Sequence, residues 1–272
     1  MSASISASES LAKAQLSLYR WEREGGGWRE DFLVEEAPLE LFLNGEPFVT
    51  LLRSPGKDRS LCAGHLWSEG VIEERADLRG LFPCPIAPER RWYAQLADRV
   101  PLPRRERQSV SSSSCGLCGL VSASALNRRW RERPEPFLLS HSEAYQLTEA
   151  LRATQPLFRE TGGAHGCARF NEAGQLMGST AEDLGRHNAF DKALGELLLS
   201  DGHVDLPAPF GLVTSSRVSS ELVQKALVVG ASALVAVGAA SALAHRFAAE
   251  AGLPLYSFIR AYSGNRHPLE RR

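Results

Sequence analysis

The second half of this chain alternates short apolar runs with helical stretches of about ten residues, and that alternation restricts its architecture more than any other feature. Residues 210–214, 233–237 and 255–259 read as strands, and 220–229 and 241–251, closed by Gly230 and Gly252, read as helices. A strand that returns to its neighbour through a helix lies parallel to it, so a layered α/β domain follows. Ser140 and Glu143 form a capping box for an earlier helix whose buried face is Ala144, Leu147 and Leu151. Two strands are expected at 164–170 and 175–178, joined by a turn at 171–174. A helix from about Asn188 carries Phe190, Leu194, Leu197 and Leu198 at helical intervals.

The first half has different grammar. Residues 31–53 read as strands, with Asn44-Gly45 between apolar runs as a hairpin signal, and 58–68 as a helix closed by Gly70. Residues 75–103 are rich in Pro and charge around a strand-like WYAQL, and 104–114 is basic and then serine-rich. The opening stretch is Ser/Ala-rich, then charged, then Gly-rich, without the apolar centre of a signal peptide. The expected organisation is a mobile leader over 1–30, a β-rich domain over 31–135 and a larger α/β domain over 136–272, with no internal repeat.

A formal net charge of −1 gives no overall field for a nucleic-acid backbone. Residues 226–244 lack charge, but they are mostly Ala, Gly, Val and Ser and are broken into helix, strand and helix, so no membrane span is expected. Five cysteines without a signal peptide fit a reducing compartment, the cytoplasm, and not a disulfide framework. Cys62 and Cys84 read as small buried or incidental thiols, and Cys167 as a packed strand thiol even with His165 two residues before it. His65, His141, His203, His245 and His267 are scattered without ligand spacing, and no metal site is expected.

CGLCG, residues 115–119, places Cys115 and Cys118 a turn apart after a serine-rich loop. The helical stretch that follows puts Cys118 near a helix N-terminus, and Arg104, Arg105 and Arg107 lie upstream; both favour thiolate over thiol. Structural zinc would require a second ligand pair, which is absent. A thioredoxin-like pair would follow the first strand of a βαβ unit, whereas this one falls at the seam between the two domains. Spacing alone leaves dithiol redox chemistry and persulfide relay both open. His141-Ser142-Glu143 matches the H-x-E of nucleobase deaminases, but it follows the cysteines, sits in a helix cap, and the CxxC lacks its proline.

A second constellation suits anions. TGGAHGCARF at 161–170 opens with paired glycines, and EDLGRHNAFDK at 182–192 is dense in polar groups at a helix start. His187 and Asp191 are four apart and share a face, as do Asn188 and Lys192. SSRVSSELVQK at 215–225 repeats the pattern, with hydroxyls and Arg217 at a helix start. Arg186, His187 and helix-terminal N–H groups suit a phosphate; a well-capped helix with a purely structural His187–Asp191 contact is the competing reading.

Taken in order, EEAPLELFLNGEPF, SSCGLCG, TGGAHGCARF, EDLGRHNAFDKALG, SSRVSSELVQKA and AAEAGLPLYSFIR resemble the FdhD formate dehydrogenase accessory proteins, from about Val34 to Arg260. The resemblance implies a sulfurtransferase that takes sulfur from a cysteine desulfurase as a persulfide on the CxxC. It then passes that sulfur to the molybdenum bis-guanine dinucleotide cofactor that formate dehydrogenase requires. It implies a cytidine-deaminase-like three-layer α/β domain without zinc chemistry, and a homodimer. Cys115 becomes the persulfide carrier and Cys118 its partner. The family's cofactor-binding segment maps onto Phe258, Ile259, Arg260, Ala261, Tyr262 and Ser263, with Arg186, His187, Asn188, Lys192 and Arg217 as further candidates. Guanine nucleotides would mimic the cofactor. The tail SGNRHPLERR and the stretch VGAASALA depart from the family pattern. A non-catalytic cofactor chaperone and a dithiol oxidoreductase are the alternatives.

Overall fold

The computed structural model describes residues 12–23, 25–102, 110–111, 130, 135–200 and 208–269. These form a mixed α/β structure with three sheets and six α-helices among the described residues.

The chain enters through a two-stranded antiparallel hairpin, β1 (Lys13–Glu22) and β2 (Gly25–Val34). Most of the stretch expected to be a mobile leader is therefore ordered backbone. Its cross-strand aromatics, Tyr19 opposite Trp28 with Trp21 beside them in edge-on contact, supply pairing that Ser/Ala composition does not advertise. A five-stranded sheet follows. β3 (Ala37–Leu43) and β4 (Glu46–Arg53) form the Asn44-Gly45 hairpin, with both turn residues at positive φ. β5 (Leu78–Pro83), β6 (Arg91–Leu96) and the short β7 (Val110–Ser111) complete it in the order β5-β6-β3-β4-β7. Only β6 carried a sequence signal, since the Arg and Pro of β5 mask it. Helix α1 (Asp58–Ser68) leaves this sheet.

The larger sheet contains β8 (His165–Phe170), β9 (Leu176–Asp183), β10 (Gly211–Thr214), β11 (Leu234–Ala236), β12 (Leu255–Ser257) and β13 (Asn265–Arg266). Their order is β13-β12-β11-β10-β8-β9; β10, β11 and β12 are mutually parallel, whereas β8, β9 and β13 run antiparallel to the strands they pair with. The parallel core is the one expected. Helix α2 (His141–Ala153) starts with the Ser140–Glu143 capping box; α3 (Pro156–Thr161) follows it. Helices α4 (Arg186–Leu199), α5 (Ser220–Val228) and α6 (Ala242–Ala251) come after β9, β10 and β11. No helix is long and apolar enough to cross a membrane among the described residues.

Successive strand residues point to opposite faces, and the two cores divide accordingly. Ala168, Val213, Val235 and Tyr256 pack under α2 with Leu147 and Leu151. Their neighbours Cys167, Leu212, Leu234 and Leu255 join the other core, which also holds Leu39, Leu41 and Leu51 of the five-stranded sheet and Leu61 and Leu66 of α1. The regions expected as 31–135 and 136–272 thus share one hydrophobic core. The seam is a crossing of α1 and α4 at Gly64 and Gly195. A Cβ on Gly64 would lie 1.8 Å from the Asp191 carbonyl oxygen, and one on Gly195 1.8 Å from that of Ser60. Only glycine lets two helix backbones approach this closely.

Candidate functional site

The antiparallel pairing of β8 with β10 places the start of β8 beside the carboxyl ends of β10, β11 and β12. His165 also lies opposite Asp183, so the turn into α4 reaches the same edge. Carboxyl ends of parallel strands are where α/β sheets collect ligands. Backbone bonds stitch the loops there: Ser215 N–H donates to the Gly166 carbonyl (3.0 Å), Gly238 N–H to Ser216 (3.1 Å) and Phe258 N–H to Gly238 (2.9 Å). Gly238 is obligatory, because a Cβ would sit 2.5 Å from the Ser216 carbonyl oxygen.

The turn that presents Arg186 is built on Asp183, which is fully buried. Its carboxylate accepts from Ser54 N–H (3.0 Å), Gly185 N–H (2.8 Å) and Asn188 Nδ2 (3.2 Å). Lys192 Nζ completes the ion pair at 2.8 Å and donates to the carbonyls of Ser54 and Glu182. Asn188 Nδ2 also donates to the Leu52 carbonyl at 2.6 Å. Asn188 and Lys192 do share a face, but that face is buried in the seam and fully engaged. Of the candidates for touching a ligand directly, these two instead set the angle at which α4 begins.

The His187–Asp191 contact of the competing, purely structural reading is absent, because each side chain has a partner from elsewhere. His187 Nε2 donates to Glu221 Oε2 of α5 at 3.1 Å, and this bond is the leading reason the Glu221 carboxyl titrates below its ordinary value. Asp191 is buried between His65 Nδ1 (3.1 Å), Ser68 Oγ (2.7 Å) and Lys225 Nζ (2.8 Å). Burial pushes the Asp191 carboxyl up, but Lys225 and His65 outweigh it and the net direction is down.

The His187–Glu221 bond brings the N-termini of α4 and α5 together, and neither terminus has a side-chain cap. Arg186 opens α4, and its Nε is buried without a hydrogen-bond partner among the described residues. Arg217, exposed, projects from the loop before α5. Both guanidinium charges act on His165: burial first, and then these two cations, hold its imidazole below the ordinary histidine range. Among the described residues Glu221 is the carboxylate that faces this group from α5, and it is already bonded to His187. The edge therefore carries positive charge in excess of its own carboxylates, an arrangement that attracts anions.

The segment 258–263 borders this edge. Phe258 has φ 56°, a left-handed conformation that is costly for an aromatic residue, and is 46% exposed. Ile259 is buried and anchors the segment. Arg260 stacks on the Phe258 ring at 4.5 Å and donates through Nη1 to the carbonyls of Val237 (2.6 Å) and Ile259 (2.8 Å). Its backbone N–H closes a turn on the Ser263 carbonyl at 2.8 Å, which leaves Ala261 and Tyr262 at the tip; Tyr262 is fully exposed. His141 Nε2 donates to the Arg260 carbonyl at 3.0 Å, so the H-x-E triplet serves as cap and brace.

Cys115 and Cys118 lie outside the described residues. Cys62, Cys84 and Cys167 are buried and unbridged, and burial pushes the Cys62 and Cys167 thiols far above their ordinary range, which makes both inert. No group of three or more metal-ligating side chains occurs among the described residues. Sequence reading missed Asp183, Glu221 and His165. Only Asp183 had a local signal, three residues ahead of the first helical residue, whereas the other two are defined by contacts from distant elements.

A family model described as the FdhD/NarQ family matches residues 34–267. The sulfur carrier protein FdhD of Streptomyces coelicolor is 41% identical over 249 residues, covering 87% of each chain. That of Streptomyces avermitilis is 42% identical over 255 residues, covering 90% of this chain and 89% of the relative. The sulfur carrier protein FdhD of Sulfurisphaera tokodaii is 31% identical over 256 residues, covering 92% of this chain and 95% of the relative. The fold is similar to a crystal structure from Desulfotalea psychrophila, assigned as a formate dehydrogenase accessory protein. The TM-score is 0.74 at 21% identity, over 96% of this chain and 98% of the other.

Proposed function

This chain belongs to the FdhD/NarQ family, and on that premise we propose that it is a cytoplasmic sulfurtransferase serving formate dehydrogenase. In this reading the Cys115 thiolate attacks the outer sulfur of a cysteine desulfurase persulfide. The S–S bond of the donor breaks, its thiolate leaves, and Cys115 carries the sulfane sulfur as a persulfide. Cys118 is the partner thiol. The acceptor is the molybdenum bis-guanine dinucleotide cofactor, bound as substrate before its insertion into the dehydrogenase.

The observation that carries this reading is the pairing, in one chain of this family, of CGLCG with a positively charged sheet edge. A dinucleotide cofactor brings several phosphates, which suit Arg186, Arg217 and the free N–H groups of α4 and α5. The exposed Phe258 and Tyr262 rings suit a guanine, with Arg260 holding Phe258 in place and Ala261 and Ser263 shaping the turn. His187, Asn188 and Lys192 serve the site by fixing the entry of α4. The larger domain is read as cytidine-deaminase-like and the working unit as a homodimer.

The test is formate dehydrogenase activity in cells whose own copy of this protein is replaced by the Cys115→Ala/Cys118→Ala double variant. A sulfur carrier predicts loss of activity with the variant still binding GDP. Full activity would instead establish a cofactor chaperone that does not use its cysteines.

A further inference from the structure

His165 is half-buried at the start of β8 and makes no side-chain hydrogen bond among the described residues. Its strand neighbour Gly166 is tied to Ser215 in both directions, N–H to Ser215 Oγ at 2.8 Å and carbonyl from Ser215 N–H at 3.0 Å. The start of β8 is thereby fixed beside the loop that carries Arg217. Its Cα partner across the sheet is Asp183, three residues before Arg186. The charged groups acting on it are Arg186 and His187 of α4, Arg217 of the β10–α5 loop, and Asp183 of β9. Asp183 is already neutralised by Lys192 at 2.8 Å. Arg186 Nε, buried without a hydrogen-bond partner among the described residues, the exposed Arg217 and the His165 imidazole thus border one edge, whose α5 carboxylate, Glu221, already accepts from His187.

Resting on the reading of this edge as the phosphate site, we propose that His165 is its third member and engages a diphosphate diester in its protonated form. The anion supplies further acceptors to the cluster and offsets the burial and the neighbouring cations that together hold the imidazole below the ordinary histidine range when the site is free. Binding then takes up a proton, so affinity rises as pH falls. The fixed cations Arg186 and Arg217 attract the ligand at every pH, and His165 adds a donor only when charged.

The probe is GDP-mannose, whose esterified phosphates have no titration of their own near neutrality. Its affinity for the intact protein is measured by calorimetry across pH, with the His165 ring proton followed by NMR. The wild type is expected to lose roughly tenfold in affinity between about pH 6 and pH 8, and the His165 pKa to rise on saturation. His165→Gln should bind weakly with a flat pH profile, and His187→Gln should keep the wild-type slope. A pH-independent affinity with an unmoved His165 resonance, or a slope that disappears in His187→Gln, would overturn the role of His165 and leave the phosphate site standing. No binding of GDP-mannose at any pH would overturn the phosphate site as well.

Discussion

Substituting Lys225 by Met tests the seam on which the site is mounted. Lys225 Nζ lies 2.8 and 2.9 Å from the two Asp191 oxygens, 2.7 Å from Ser68 Oγ and 3.0 Å from Glu69. Asp191 is 1% and Lys225 5% exposed, so water cannot replace the lost ammonium. Stranding a buried charge in this way costs roughly 3–5 kcal/mol, a large part of a typical stability of about 5–15 kcal/mol. At roughly 2–4 °C per kcal/mol for a chain of this size, the melting temperature should fall by about 6–20 °C. The double variant Asp191→Asn/Lys225→Met removes the stranded charge while keeping an acceptor for Ser68, and should recover about half of the loss. Urea unfolding of wild type, single and double variants decides the matter. A single variant that costs less than about 1 kcal/mol, or a double variant no better than the single, would refute the argument that the seam depends on a desolvated ion pair.

Three further outcomes are expected. Gly64→Ala should destabilise by about 3 kcal/mol or more in the same unfolding assay, because its methyl meets the Asp191 carbonyl and two helices must separate. Arg186→Gln and Arg217→Gln should each weaken GDP binding by about tenfold in calorimetry, with melting temperatures close to wild type. Glu221 titrates below its ordinary value in the folded state, chiefly through His187, so its contribution to stability is complete above the unfolded carboxyl pKa and is lost as pH falls through the folded one. Glu221→Gln should accordingly be less sensitive to acid than wild type when unfolding is measured from about pH 6 down to pH 3.

The parallel core was legible in the sequence because β10, β11 and β12 are short, mostly apolar and separated by helices; periodicity and Gly230 and Gly252 marked their limits closely. The β1–β2 hairpin was not read from the sequence although Ala14, Leu16 and Leu18 alternate with polar residues, because the Ser/Ala-rich and Gly-rich flanks mask that signal and the pairing of Tyr19 with Trp28 appears only in the folded chain. At the site, Arg186 and Arg217 were visible as cations at helix starts. The roles of Asn188, Lys192 and Asp191 were not, because they depend on Ser54, Leu52, His65 and Lys225, which only the folded chain brings near. The pairing of the two glycines Gly64 and Gly195 was equally hidden, as each looks like an unremarkable helix residue until the backbones cross.

The most direct test of the account is to incubate the purified protein with a cysteine desulfurase and cysteine and to map added sulfur by mass spectrometry. The inert Cys62 and Cys167 serve as internal references. The account predicts one added sulfur on the peptide containing Cys115 and Cys118, lost in Cys115→Ala. An active desulfurase that leaves both residues unmodified would contradict it.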